Sequence, residues 1–205
     1  MNCESVYIFW DNSNLFIPMQ QVAAQREGAV ASVHARLQFD NLYDLARAGR
    51  TVSRAVCVGS VPPSLQAVWQ RIRSLGVEVE LYERGTYTAR EQAVDQALQV
   101  HILRTGYIRP PGVAVLMTGD GAGYDQGVGF HADLERLADA GWGIEVISWD
   151  IACNRRLRDF AQQRGIYVPL ERFYQSVTFI EGGRTSVSVS LVHRGRTSPA
   201  TAQIR

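Results

Sequence analysis

Three aspartates in this 205-residue chain stand where carboxylates could do chemistry. Asp11 follows the apolar run VYIFW inside WDNSN, Asp120 follows VAVLMT inside MTGDG, and Asp95 lies in EQAVDQAL. If the first two acids end parallel strands, both emerge on the same edge of the sheet, where open α/β sheets form their ligand crevice. Asp95, beside the apolar stripe of a helix, can be brought toward them. Like charges so placed repel unless a cation neutralises them. Hard oxygen donors without His or Cys favour Mg²⁺ or Mn²⁺ over zinc.

Each acid also has a plainer reading. Asp11 and Asp120 suit turns, and Asp95 taken alone suits a solvated helix face. Asp125, in GDGAGYDQGVG, is a candidate fourth ligand in a glycine-rich loop. Glu91 lies one turn before Asp95, but Thr88 and Glu91 form the T-x-x-E pattern of a capping box. Gly119, Gly121 and Gly123 suggest close approach of backbone to a ligand, yet GDGAG matches neither a P-loop nor GxGxxG. His101 falls on the apolar stripe and reads as a core histidine. His131 reads as a helix N-terminal contact, with substrate contact as the alternative. No Ser/His/Asp or Cys/His nucleophile system is apparent.

The elements that must position these acids alternate along the chain. Apolar runs at 6–10, 54–58, 77–81, 113–118, 143–149 and 166–170 predict strands. Segments at 36–48, 62–75, 89–104, 133–141 and 155–165 carry helical spacing, with Gly49 and Gly76 as C-terminal stops. Residues 18–32 predict a loop or irregular helix, and DNSN a polar loop. VAVLMT is the most apolar strand and is expected at the centre. This alternation predicts a parallel sheet covered by helices on both sides, an α/β fold of three layers, α/β/α. SVTFI (176–180) and TSVSVSLV (185–192) predict a short C-terminal β-hairpin before a polar tail. The expected division is residues 1–172 as the main domain and 173–205 as hairpin and tail.

Bulk properties narrow the classes. Hydrophobic residues at 46% and charged residues at 20% fit a folded globular protein and argue against extensive disorder. No run approaches the roughly 18 apolar residues that span a bilayer, and the first residues lack a secretion-signal pattern, so a cytoplasmic protein with no membrane partner is expected. Cys3, Cys57 and Cys153 are too few for a disulfide framework and read as small hydrophobes. The net charge of +1 does not by itself point to nucleic acid, although all 21 basic side chains are Arg and none is Lys. Guanidinium groups suit bidentate phosphate contacts; genomic base composition is the simpler explanation of the bias.

The strand ending in DNSN, the helix segment EQAVDQAL and the strand ending in TGDG, in that order, resemble the NYN domain, a branch of the PIN-like metal-dependent ribonucleases. GWGIEVISW, a helix and IYVPL look like the closing part of that fold, so the resemblance covers about residues 5–172. It implies that Asp11, Asp95 and Asp120 bind metal, with Asn14 closing the first motif. The third motif departs from GDxD, because Ala122 stands where the family usually has a second acid. Asp125 can take that place only if its loop folds back.

The resemblance thus implies metal-dependent phosphodiester hydrolysis of RNA, with Asp11, Asp95 and Asp120 as catalytic acids. Asn12, Asn14 and Thr118 would hydrogen-bond a metal water or the scissile phosphate, and Arg84, Arg90, Arg155 and Arg156 would flank the crevice. A non-catalytic module that keeps the fold and binds RNA or a protein is the alternative, encouraged by Ala122. A small-nucleotide-binding protein of response-regulator or Rossmann type ranks third. The alternating TSVSVSLV offers an edge through which a homodimer could form, or which packs back on its own domain.

Overall fold

Strand β1 (Ser5–Asp11) is buried from Val6 onward, and its side chains alternate between two cores. The computed structural model describes residues 5–60, 66–82 and 87–188, and for residues 60 and 87–93 the backbone alone. After β1 the chain forms α1 (Asn12–Glu27), α2 (Ala29–His34), β2 (Ala35–Leu37), α3 (Phe39–Arg47), β3 (Thr51–Ser60), α4 (Gln66–Ser74) and β4 (Glu78–Tyr82). It continues with α5 (Tyr87–Ile108), β5 (Val113–Met117), α6 (Gly129–Asp139), β6 (Gly143–Ser148), α7 (Arg155–Arg164), β7 (Ile166–Pro169), α8 (Tyr174–Val177) and β8 (Thr178–Ile180).

Six strands form one parallel sheet in the order β4-β3-β1-β5-β6-β7. The chain winds outward from β1 through β3 to β4, then returns through α5 to place β5 on the other side of β1. The order reverses between β1 and β5. At such a switch point the loops leaving adjacent strands diverge to opposite faces and open a crevice at the carboxyl ends.

The alternation of β1 and β5 assigns the two cores. Val6, Ile8, Trp10, Val113, Val115 and Met117 face one side, which α1, α3 and α4 cover with Leu15, Met19, Leu42, Leu45, Trp69 and Ile72. Tyr7, Phe9, Ala114 and Leu116 face the other, which α5, α6 and α7 cover with Leu98, Ile102, Leu134 and Leu157. By the same two-residue period Asp11 and Thr118 fall on the α5 side. The three-layer architecture expected from the sequence is thus formed.

Some local expectations are corrected. DNSN is not a loop: Asp11 caps α1, accepting the Asn14 N–H, and the helix runs from Asn12 with Pro18 inside it. Asp and Asn serve turns and helix N-caps equally well, which hides the difference in sequence. At the C-terminal end, β8 is formed and the chain turns back, the Ile180 N–H donating to the Arg184 carbonyl at 2.8 Å. However, the strand partner of β8 is β2, antiparallel, pairing Ala35 with Ile180 and Leu37 with Thr178. Residues 185–188 are not strand, and 189–192 of the expected second hairpin strand lie outside the described residues. Leu170, Tyr174 and Val177 are buried in the α1 side core, so this return segment is tied to the sheet.

His101 is likewise not a core residue. Its Nε2 lies 2.7 Å from Glu80 and its Nδ1 3.1 Å from Arg54, in a polar cluster beside the β4 edge. An apolar stripe one residue wide cannot show that the strands beneath it carry Arg and Glu on that face. Cys57 is buried as expected, Cys153 is half-buried, and Cys3 lies outside the described residues. No described helix is long and apolar enough to cross a membrane.

Candidate active site at the switch point of the sheet

The carboxylate of Asp11 is 1% exposed. Its Oδ1 accepts the Asn14 backbone N–H at 3.2 Å and its Oδ2 accepts the Asn14 side-chain amide at 2.5 Å. The Thr118 hydroxyl donates to Oδ2 at 3.4 Å and accepts the Asp120 backbone N–H at 3.3 Å. One hydroxyl therefore links the end of β1 to the loop after β5. Burial pushes the Asp11 pKa up; the Asn14 bonds oppose this, and the negative charge of Asp120 adds to the rise. The structure thus brings Asp11, Asn14, Thr118 and Asp120 together, as their positions at the ends of adjacent parallel strands require.

The Asp120 loop is held by close backbone approach. The Ala122 N–H donates to Asp120 Oδ1 at 3.0 Å, so the position that lacks the family's second acid still orients the first. The Gly119 carbonyl accepts the Asn154 N–H at 2.8 Å. A Cβ on Gly119 would meet the Ala152 carbonyl oxygen at 2.9 Å, and one on Gly121 would meet the Asn154 side chain at 2.5 Å. That side chain caps α7 through the N–H groups of Arg156 and Leu157. The glycines of TGDG therefore serve contact with the β6–α7 loop.

Asp95 is half-buried on α5. Four residues later on the same helical face, Gln99 accepts the Gly129 N–H at 3.1 Å and ties α5 to the start of α6. Because α5 begins after the carboxyl end of β4, Asp95 lies one turn nearer that edge than Gln99. Among the described residues, no three His, Cys, Asp or Glu side chains are gathered closely enough to hold a metal ion. The pair Asp11 and Asp120 is joined, but the trio is not formed as a cluster.

Asp125, in a 3-10 turn at Tyr124–Gln126, is exposed and ion-paired with Arg156. Arg155 is paired with Asp159 at 3.6 Å. Arg84 and the side chains of Arg90 and Glu91 lie outside the described residues. His131 is buried, stacked on Tyr124 (3.9 Å) with Phe160 tilted against it (4.8 Å), and burial pulls its pKa down. Asn12, adjoining Asp11, is buried with its Oδ1 lacking a hydrogen-bond partner in the protein.

These donors suit a hard divalent cation in kind. Two carboxylates, one of them deprived of water, and an unpartnered amide oxygen all offer oxygen to a cation and gain from its charge.

Asp133, in the first half of α6, was not legible as special. It is 2% exposed and held by Arg136 at 2.9 Å, yet burial pushes its carboxyl up to about 6. A raised acid favours the folded state below its unfolded pKa, and that contribution is lost as pH rises from about 4 to about 6. Urea midpoints of wild type and Asp133→Asn between pH 4 and 7 should diverge. The variant is expected to gain on the order of 2 kcal/mol relative to wild type across that window. Parallel curves would contradict a raised Asp133.

A six-stranded parallel sheet with an acid pair at its switch point defines an open three-layer α/β domain. The NYN domain family model matches residues 5–168, and the chain belongs to that family. NYN domains are a PIN-like nuclease family. The fold is also similar to the crystal structure of a protein of unknown function from Vibrio parahaemolyticus RIMD 2210633. The TM-score is 0.61 at 14% identity, covering 83% of this chain and 95% of that one, a likeness of fold alone. No curated protein matches the sequence.

Proposed function

We propose that this protein hydrolyses phosphodiester bonds of RNA with the help of Mg²⁺ or Mn²⁺ held by Asp11 and Asp120, with Asp95 completing the set. The observation that carries this reading is the pair itself: a buried carboxylate whose pKa is raised further by a second acid beside it. An arrangement that costs stability and is held by Asn14 and Thr118 suits a site that gains its compensation from a cation. When bound, such an ion lowers the pKa of a water and stabilises charge on the attacked phosphate.

The chain's own groups divide the remaining work. Asn14 fixes both oxygens of Asp11. The Thr118 hydroxyl sets the spacing of the two acids, and the Ala122 N–H holds Asp120 by one oxygen. Asn12 offers an amide oxygen that the protein leaves unused. Incubating the protein with single-stranded RNA should give cleavage with Mn²⁺ and none with EDTA; cleavage indifferent to EDTA would contradict the metal role.

A second reading, a non-catalytic RNA-binding module, is favoured by one observation. Asp125 is turned to Arg156 and Ala122 supplies no acid, so a fourth ligand is not in place. RNA binding without turnover under any divalent metal is the outcome expected of that reading.

A further inference from the structure

Beyond β7, at the same carboxyl edge, a cavity of 290 Å³ is lined by Arg26, Glu171, Arg172, Tyr174, Gln175 and Ser176 among others. The one acid of its lining, Glu171, is held by backbone N–H groups. Glu171 accepts the Asp150 N–H at 2.9 Å and the Ile151 N–H at 3.3 Å. Neighbouring Glu27 accepts the Tyr174 hydroxyl at 2.7 Å and Arg184 Nε at 2.9 Å. Arg26 lies over the Tyr174 ring, 4.9 Å from its centre, which holds the guanidinium in place while leaving its N–H groups free to donate. Neither Arg26 nor Arg172 has a carboxylate partner among the described residues. The cavity therefore presents two fork-shaped donors outside any ion pair, beside one carboxylate occupied by backbone N–H groups, the chemistry that recognises phosphate.

Two connections tie this cavity to the acid pair. The loop from Trp149 to Asn154 touches Gly119 through the Asn154 N–H on one side and Glu171 through the Asp150 and Ile151 N–H groups on the other. Helix α1 starts at the Asp11 cap and carries Arg26 in its last turn. Fifteen residues at 1.5 Å separate the two by about 22 Å along the helix axis. At about 3.4 Å per stacked nucleotide, that is roughly six nucleotides.

We infer that the Arg26 and Arg172 cavity is a second binding site for the RNA chain, gripping a backbone phosphate about six nucleotides from the scissile bond. This rests on the proposed RNA hydrolysis, since the ligand is the same strand. It gives affinity without base choice, because both arginines address phosphate. Only RNA long enough to span α1 engages both places.

The test measures binding of a fluorescent 12-nucleotide single-stranded RNA to the full chain in EDTA, by anisotropy across 50–200 mM salt. Arg26→Ala/Arg172→Ala should flatten the log–log salt slope by about 1.4, some 0.7 per lost contact. Arg172→Gln, which breaks no described hydrogen bond, should flatten it by about 0.7 on the same scale and guards against misfolding of the double variant. In Mn²⁺, both variants should cleave a 4-nucleotide RNA at the wild-type rate. Wild-type slopes in both variants, or no binding of the 12-mer by wild type, would overturn the inference. Absence of cleavage by wild type with the slope change intact would refute the hydrolysis and leave the phosphate site standing.

Discussion

Asp11→Asn is expected to lower Mn²⁺-dependent RNA cleavage by at least about a hundredfold, since even groups behind a metal ligand contribute tenfold to a hundredfold. It should also raise the melting temperature at neutral pH in EDTA. The physical reason is the same in both cases. The wild-type carboxylate is stripped of water and lies beside Asp120, so its ionised form is unfavourable in the folded chain without a cation. Asparagine keeps an oxygen for the Asn14 N–H cap, and the Asn14 amide can rotate to present its own oxygen to the new NH₂ group. The sign follows from the raised pKa. Wild type loses stability relative to the variant as pH rises through the Asp11 pKa, so the advantage of Asn is largest at neutral pH and fades in acid. Cleavage at the wild-type rate, or a lower melting temperature than wild type in EDTA at neutral pH, would contradict this. The pattern is a stability sacrifice at a functional position.

The second large effect lies at the amino end of the sheet. Arg50, just before β3, reaches Glu145 of β6 in a two-bond pair, Nη1 to Oε1 at 2.7 Å and Nη2 to Oε2 at 2.9 Å. The two side chains are 8% and 0% exposed. Arg50 also donates to the carbonyls of Ala46 and Arg47 at the end of α3, which clamps that helix to the sheet. Removing one partner takes this two-bond ion pair away from a buried charge. Arg50→Met should therefore cost about 3–5 kcal/mol of unfolding free energy, read from urea denaturation. Such a loss is about a fifth or more of the roughly 5–15 kcal/mol total for an ordinary domain. Arg50→Met/Glu145→Leu should recover most of it, because apolar residues of similar volume replace a buried pair at little net cost. A loss below about 1 kcal/mol in the single variant, or no recovery in the double, would show that the pair is not the clamp it resembles.

Much of this architecture was legible because its signals are local. Short apolar runs closed by Gly or polar residues alternate with helical spacing from Val6 to Leu170, and each gave a strand or helix close to its expected place. Asp11 and Asp120 could be paired on paper because both follow strands read as parallel, and the structure links them through Thr118. What escaped depends on partners far away in sequence. The three-residue β2 is too short to show a period, and its pairing with β8 closes across more than 140 residues. Nothing in HADLERLADAG marks Asp133 as buried, because burial of an acid on an amphipathic helix depends on which neighbour covers it. Asp125 reads as a free loop acid until α7 brings Arg156 against it. Arg26 and Arg172 are 146 positions apart and become one cavity only when the segment after β7 folds over the end of α1.

The central claim is that Asp11 and Asp120 together hold a divalent cation, and titration of Mn²⁺ into metal-free protein by calorimetry tests it most directly. Saturable binding near one ion per chain is expected, weakened by at least about tenfold in both Asp11→Asn and Asp120→Asn. No saturable heat in wild type, or binding of equal strength in both variants, would contradict it.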